Sequence, residues 1–193
     1  EEPGRRPSSS RRTAGRRVSA WEGLTPPYST IVADPPWRYS SAATKADARK
    51  HYTTTSTDDL AEMPVSALAA PDAHLWCWAT NALMEDAYRL VRAWGFSPLT
   101  LVTWCKNGPG VGHYLRNNTE HMILASRGKP LVPDEKPLST WYVWPNAGHS
   151  QKPQAALDLV EQVSPGPYVE LFARQPRLGW DHWGHGYEMG GAA

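Results

Sequence analysis

The stretch "ADPPWRY" at positions 33 to 39 follows the apolar run "STIVA" without a break. An acid, two prolines and a tryptophan therefore stand where a buried strand ends. Proline fixes φ and has no backbone N–H, so Pro35 and Pro36 halt a sheet ladder and are expected to leave carbonyl oxygens that no neighbouring strand claims. A carboxylate at Asp34 beside the Pro35 carbonyl is an acceptor pair suited to an aromatic exocyclic amine, whose lone pair is delocalised into its ring. Accepting both N–H bonds orients the nitrogen and favours the pyramidal geometry of a nucleophile, with Trp37 as an apolar wall. An electrophilic methyl group on a sulfonium completes an in-line transfer, with proximity supplying much of the acceleration. The alkylated, cationic nitrogen loses its proton readily, so the acid acts by position and charge.

Elements must bring this strand end to a rim. "YSTIVA" reads as a buried strand, and the polar, aperiodic "WRYSSAATKADARKHYTTTST" after it as a long loop of the functional kind. A helix is expected to start near Thr57 to Asp59, with Thr57 as cap and Leu60, Met63, Val65 and Leu68 following, its course interrupted by Pro64. "HLWCWAT" (74–80), "LTLVTWC" (99–105), "EHMILAS" (120–126) and "YVELFA" (168–173) are strand candidates, and "WYVW" is a short strand or extended loop. "NALMEDAYRLVRAWG" spaces Leu83, Ala87, Leu90, Val91 and Trp94 as a helix face ending at a Gly95 cap, and "PQAALDLVEQV" is a further helix. Between two of the strands, "KNGPGVGHYLRNNT" is a second long loop. Alternating strands and helices imply an α/β fold: a Rossmann-like, doubly wound, mainly parallel sheet with helices on both faces. Ligands then bind at the strands' carboxyl ends, and the Asp34 and Arg174 loops share one rim.

The 193 residues are of single-domain size and can bury a core without disulfides. Arg5, Arg6, Arg11, Arg12, Arg16 and Arg17 crowd a start with almost nothing to bury. Residues 1–20 are therefore expected to be a disordered basic arm, either touching nucleic-acid phosphates or serving as a solubilising leader, ahead of one domain over 21–193. The formal net charge of +1 hides this asymmetry, and the rest of the chain is mildly acidic. Cys77 and Cys105 form no C-x-x-C pair, which argues against a zinc site or disulfide framework and for a reduced, cytoplasmic setting. No apolar run approaches the ~18 to 20 residues of a membrane span.

The chain resembles the MT-A70-type adenine-N6 methyltransferases from about Ile31 to Glu188. "DPPW" at 34–37 matches the family signature, "HYTTTSTDDL" the segment after it, and "WCKNGPGVGHYLRNNTEHMILASRGKP" the central strand-loop-strand. "HSQKP" matches its lysine motif and "ELFARQPRLGWDHWGHG" its terminal cofactor segment. The resemblance implies a class I methyltransferase fold and S-adenosylmethionine as cofactor. It assigns Asp34, Pro35, Pro36 and Trp37 to the reacting amine, with Asp34 also near the cofactor ammonium. It places Lys152 at the cofactor carboxylate, and Arg174, Gln175, Pro176 and Arg177 in the loop holding the ribose and neighbouring groups. Tyr52 matches an aromatic that stacks an extruded adenine, and Glu120 with His121 a polar pair beside the substrate cleft. Lys106 and Arg116 are expected to be phosphate contacts by charge and loop position. DNA or RNA is the implied partner, beside a homodimer mate or a homologous subunit.

One position departs from the family: Gly184-His185-Gly186 stands where an asparagine commonly follows the glycine. His185 donates a hydrogen bond there but does not offer an amide's paired donor and acceptor. His182 and His185 have no third ligand in view, so no metal is expected. A cytosine-N4 methyltransferase is an alternative, since it too alkylates an exocyclic amine; a catalytically inactive nucleic-acid-binding homologue is another, and a purely structural domain leaves the motifs unexplained.

Overall fold

The computed structural model describes residues 21–38, 55–108, 110, 112, 114–129, 131–132, 137–145 and 151–184. The N-terminal arm, loop residues 39–54, Tyr52 and His185 lie outside the described residues.

Strand β1 (Tyr28–Ala33) is buried at every residue except Ser29, as an apolar strand covered on both faces must be. It pairs in parallel with β2 (Ala69–Thr80) on one side and β6 (Tyr168–Leu171) on the other. The seven-stranded sheet has the order β5-β3-β4-β2-β1-β6-β7, with β3 (Ser97–Cys105), β4 (Thr119–Arg127), β5 (Trp141–Val143) and β7 (Trp180–Trp183). Only β4 runs against its neighbours β2 and β3; the other pairings are parallel.

Helix α1 (Thr57–Ala61) and α2 (Met84–Ala93) cover one face, where Leu60, Leu90 and Val91 pack on Ile31, Leu75 and Ile123. Helix α3 (Gln154–Val163) covers the other, where Leu157 and Val160 meet Val32, Trp76 and Met122. The mainly parallel, doubly wound arrangement with helices on both faces is thus present.

Local differences have local causes. Ser56, not Thr57, caps α1, its hydroxyl accepting from the Asp59 N–H at 3.1 Å. Pro64 ends that helix, and Val65–Ala67 continues only as a 3-10 turn. Gly95 closes α2 with φ +85°: its N–H reaches the Arg92 carbonyl and the Phe96 N–H the Val91 carbonyl, the paired bonds of a Schellman motif. The expected strand "YVELFA" stops at Leu171, because Phe172 turns to φ +64°.

Candidate active site

The order of strands reverses direction at β1 and β6, and a crevice opens beyond their carboxyl ends. Asp34 leaves β1 there, and Phe172 and Arg174 leave β6. Together with Trp78, Lys152 and Glu170 they line a solvent-open cleft. Both signs of charge and several apolar walls, including Leu157, therefore share one concavity.

The "DPPW" corner is held tightly by its own backbone. The Asp34 N–H extends the β1–β6 ladder to the Leu171 carbonyl at 3.3 Å. The expectation that both proline carbonyls are left unclaimed is corrected. Pro35 accepts the Trp37 N–H at 2.8 Å in a tight local turn, and Pro36 accepts the Thr55 N–H at 2.8 Å across an isolated bridge. Each carbonyl retains a second lone pair, so the Pro35 oxygen keeps acceptor capacity. The Trp37 indole is 7% exposed and donates to the Trp78 carbonyl at 3.1 Å, which ties the corner to β2.

The charged side chains form a chain across the rim. Lys152 Nζ lies 2.7 Å from Asp34 Oδ1 and 3.4 Å from Glu120 Oε2, and Lys106 pairs with the other Glu120 oxygen. Lys152 also stands 5.4 Å from the centroid of the buried Trp78 ring. Burial pushes the Lys152 ammonium down, but the charges of Asp34 and Glu120 outweigh it and raise its pKa above the ordinary lysine value. Burial likewise raises the Glu120 carboxyl, yet Lys152 and Lys106 bring its net pKa below the ordinary range. The two groups remain charged together.

The expected substrate-side residues divide between the rim and other surroundings. Strand alternation sends Glu120 and His121 to opposite faces of β4. Glu120 reaches Lys152, whereas the His121 ring meets the Thr103 hydroxyl at 3.1 Å and Thr119 at 3.4 Å. Lys106 is engaged by Glu120 and lies 4.6 Å from the Trp104 ring centroid. Arg116 is exposed and bonds the Gly110 carbonyl at 3.4 Å.

The two arginines of the β6–β7 loop divide their work. Arg174 and Gln175 line the cleft. Arg177 instead grips α3, at 2.8 and 2.9 Å from the two Glu161 oxygens and 2.7 Å from Asp158, while its N–H reaches His182 Nε2 at 2.7 Å. Pro176, between them, is a connector and is not part of the cleft lining. Gly184 lets the end of β7 lie against this loop: a Cβ there would stand 2.6 Å from the Ala173 oxygen and 2.8 Å from its nitrogen. Among the described residues no group of three metal-ligating side chains occurs.

Glu170 was not among the expected site residues, although an acid inside the otherwise apolar "YVELFA" is a visible anomaly for a strand covered on both faces. Its carboxyl is raised to about 7, first by burial and then by the nearby charge of Asp34. Trp78 and Phe172 were likewise missed, since nothing in a run of core aromatics tells which ring borders a cleft.

Comparison with known proteins agrees with this geometry. The MT-A70 family profile matches residues 28–186. The chain is 29% identical to the type II methyltransferase M.MunI of a Mycoplasma species, over 81% of this chain and 76% of that protein. It is 28% identical to the human N(6)-adenine-specific methyltransferase METTL4, over 82% of this chain and 37% of that protein. It is 24% identical to the human N(6)-adenosine-methyltransferase catalytic subunit METTL3, over 76% and 26% respectively, so it spans about a quarter of that relative. Matched over most of its length, the chain belongs to the MT-A70 family of methyltransferases.

Proposed function

We propose that the protein transfers a methyl group from S-adenosylmethionine to the exocyclic N6 amine of adenine in DNA or RNA. The observation that carries this reading is the Asp34 carboxylate, fixed at the rim by the corner and by Lys152 and standing in the same cleft as Arg174 and Glu170. Family membership and the names of the relatives support the chemistry.

The cleft suits a zwitterionic, cationic cofactor. Lys152 and Arg174 offer positive charge to a carboxylate and hydroxyls, Asp34 offers an acceptor to an ammonium, and Trp78, Phe172 and Leu157 are apolar walls. Bound there, S-adenosylmethionine supplies an electrophilic methyl group. Asp34 and the second lone pair of the Pro35 carbonyl accept the two N–H bonds of the amine, and the carboxylate charge stabilises the cation that develops on nitrogen. Lys152 keeps Asp34 oriented through their 2.7 Å contact. Trp37 acts through the corner it anchors as well as through its ring. Tyr52 as a stacking platform and His185 at the cofactor belong to this reading as expectations from the family pattern.

Asp34→Asn tests it. The amide keeps the shape but turns a donor toward the amine's own N–H groups and removes the charge. Single-turnover methylation at saturating cofactor and nucleic acid is expected to fall by at least ~100-fold, the scale for loss of one preorganised electrostatic contact. A near wild-type rate in a folded variant would remove Asp34 from the reaction.

A further inference from the structure

Glu170 sits in mid-strand, opposite Val32 of β1 and His182 of β7. Its carboxyl borders the same cleft as Asp34, Lys152 and Arg174. The groups around it come from every side. Asp34 from the end of β1 opposes its ionisation, Lys152 before α3 and Arg177 in the β6–β7 loop favour it, and burial is the largest effect. His182 is held as an acceptor by the Arg177 N–H, and burial depresses its pKa, so it stays neutral beside Glu170. Among the described residues no hydrogen bond contributes to the state of this carboxyl, unlike Asp34 and Glu120, whose oxygens are engaged by lysines. A half-buried acid lining the cleft beside Asp34 and Lys152 responds to the net charge of whatever enters.

Methyl transfer changes that charge. The donor's carbon–sulfur bond breaks with the electron pair staying on sulfur, so a sulfonium becomes a neutral thioether, and the positive charge leaves with the proton of the alkylated nitrogen. We propose that Glu170 makes the cleft discriminate the sulfonium donor from its thioether product, its ionised carboxylate stabilising the one positive charge by which they differ. This rests on the reading of the cleft as an S-adenosylmethionine site. With a carboxyl poised at about 7, donor binding draws Glu170 into the ionised form. After transfer the carboxyl takes a proton back from solvent, and the product loses its hold.

The test is calorimetric binding of S-adenosylmethionine and of S-adenosylhomocysteine to the full chain and to Glu170→Gln. In the wild type the ratio of donor to product affinity is expected to rise about eightfold between about pH 6 and about pH 7.5, following the ionised fraction of a carboxyl centred near 7. Deprotonation of the donor's own ammonium moves the ratio the opposite way. In Glu170→Gln the ratio stays flat and low while product affinity, the check on folding, is kept. A flat ratio in the wild type overturns the proposal whether or not the variant folds, as does an unchanged pH-dependent ratio in Glu170→Gln. Wild-type protein that binds neither ligand sinks the cofactor reading and this inference with it, whereas binding of both without discrimination overturns the inference alone.

Discussion

Lys152 satisfies two carboxylates at once, with Asp34 at 2.7 Å and Glu120 at 3.4 Å and all three side chains below 20% exposed. Removing one member of such a group leaves the others buried and uncompensated, which costs more than the intact pair contributes. Lys152→Ala is therefore expected to lower stability by about 3 kcal/mol in denaturant unfolding and to weaken S-adenosylmethionine binding in calorimetry. Equal stability and equal affinity would show that Lys152 neither anchors Asp34 nor meets the cofactor. The carboxyls also set opposite pH slopes. Glu170, raised to about 7, binds its proton more readily folded than unfolded, so its contribution falls as pH rises from the ordinary glutamate range through 7. Glu120, lowered, contributes above the ordinary glutamate range and loses that contribution as pH falls through its depressed value. Without ligand, the thermal midpoint of Glu170→Gln should thus exceed that of wild type at about pH 8 and approach it at about pH 5. A difference that shrinks as pH rises would contradict the assignment.

At the scale of elements, the β6–β7 loop is positioned by what touches it at both ends. It must return from the rim to the start of β7, and Arg177 fastens it to α3 through Glu161 and Asp158 while Gly184 admits it under the end of β7. Gly184→Ala would drive a methyl group into the Ala173 backbone, which cannot yield as a flexible side chain would. Cofactor affinity is expected to fall about tenfold or more, a cost of ~1.4 kcal/mol from displacing Arg174, with the midpoint only modestly lowered. Unchanged affinity would show that the loop's position does not matter to the cleft. Much of this architecture is legible in the sequence. The apolar run "STIVA" marks β1, the 3.6-residue spacing with Gly95 marks α2, and the Asp34 and Arg174 loops do share one rim. Strand β7 was not legible as a strand, because "WDHW" has neither an apolar run nor clear alternation and exists through pairing with β6. The direction of β4 depends likewise on distant partners. Period two in β4 already separates Glu120 from His121, a reading that their adjacency in sequence obscured. The pairing of Lys106 with Glu120 and the grip of Arg177 on α3 are tertiary choices with no local signal.

At the scale of the whole molecule, the sheet serves as a rigid platform whose two buried faces leave its carboxyl rim for chemistry. Among the described residues no helix is long and apolar enough to cross a membrane. The charge chain Asp34–Lys152–Glu120–Lys106 runs along that rim over the buried rings of Trp78 and Trp104, so the reacting amine meets preorganised charge and not a mobile surface. Adenine and cytosine both carry an exocyclic amine, and this rim is assigned to the first. The most direct measurement incubates the protein with methyl-labelled S-adenosylmethionine and separate DNA and RNA pools, then digests the products to nucleosides and locates the label. Label in N6-methyladenine from one of the pools, absent with Asp34→Asn, is the predicted result. Label in N4-methylcytosine, or none in either pool from protein that binds the cofactor, would contradict the account.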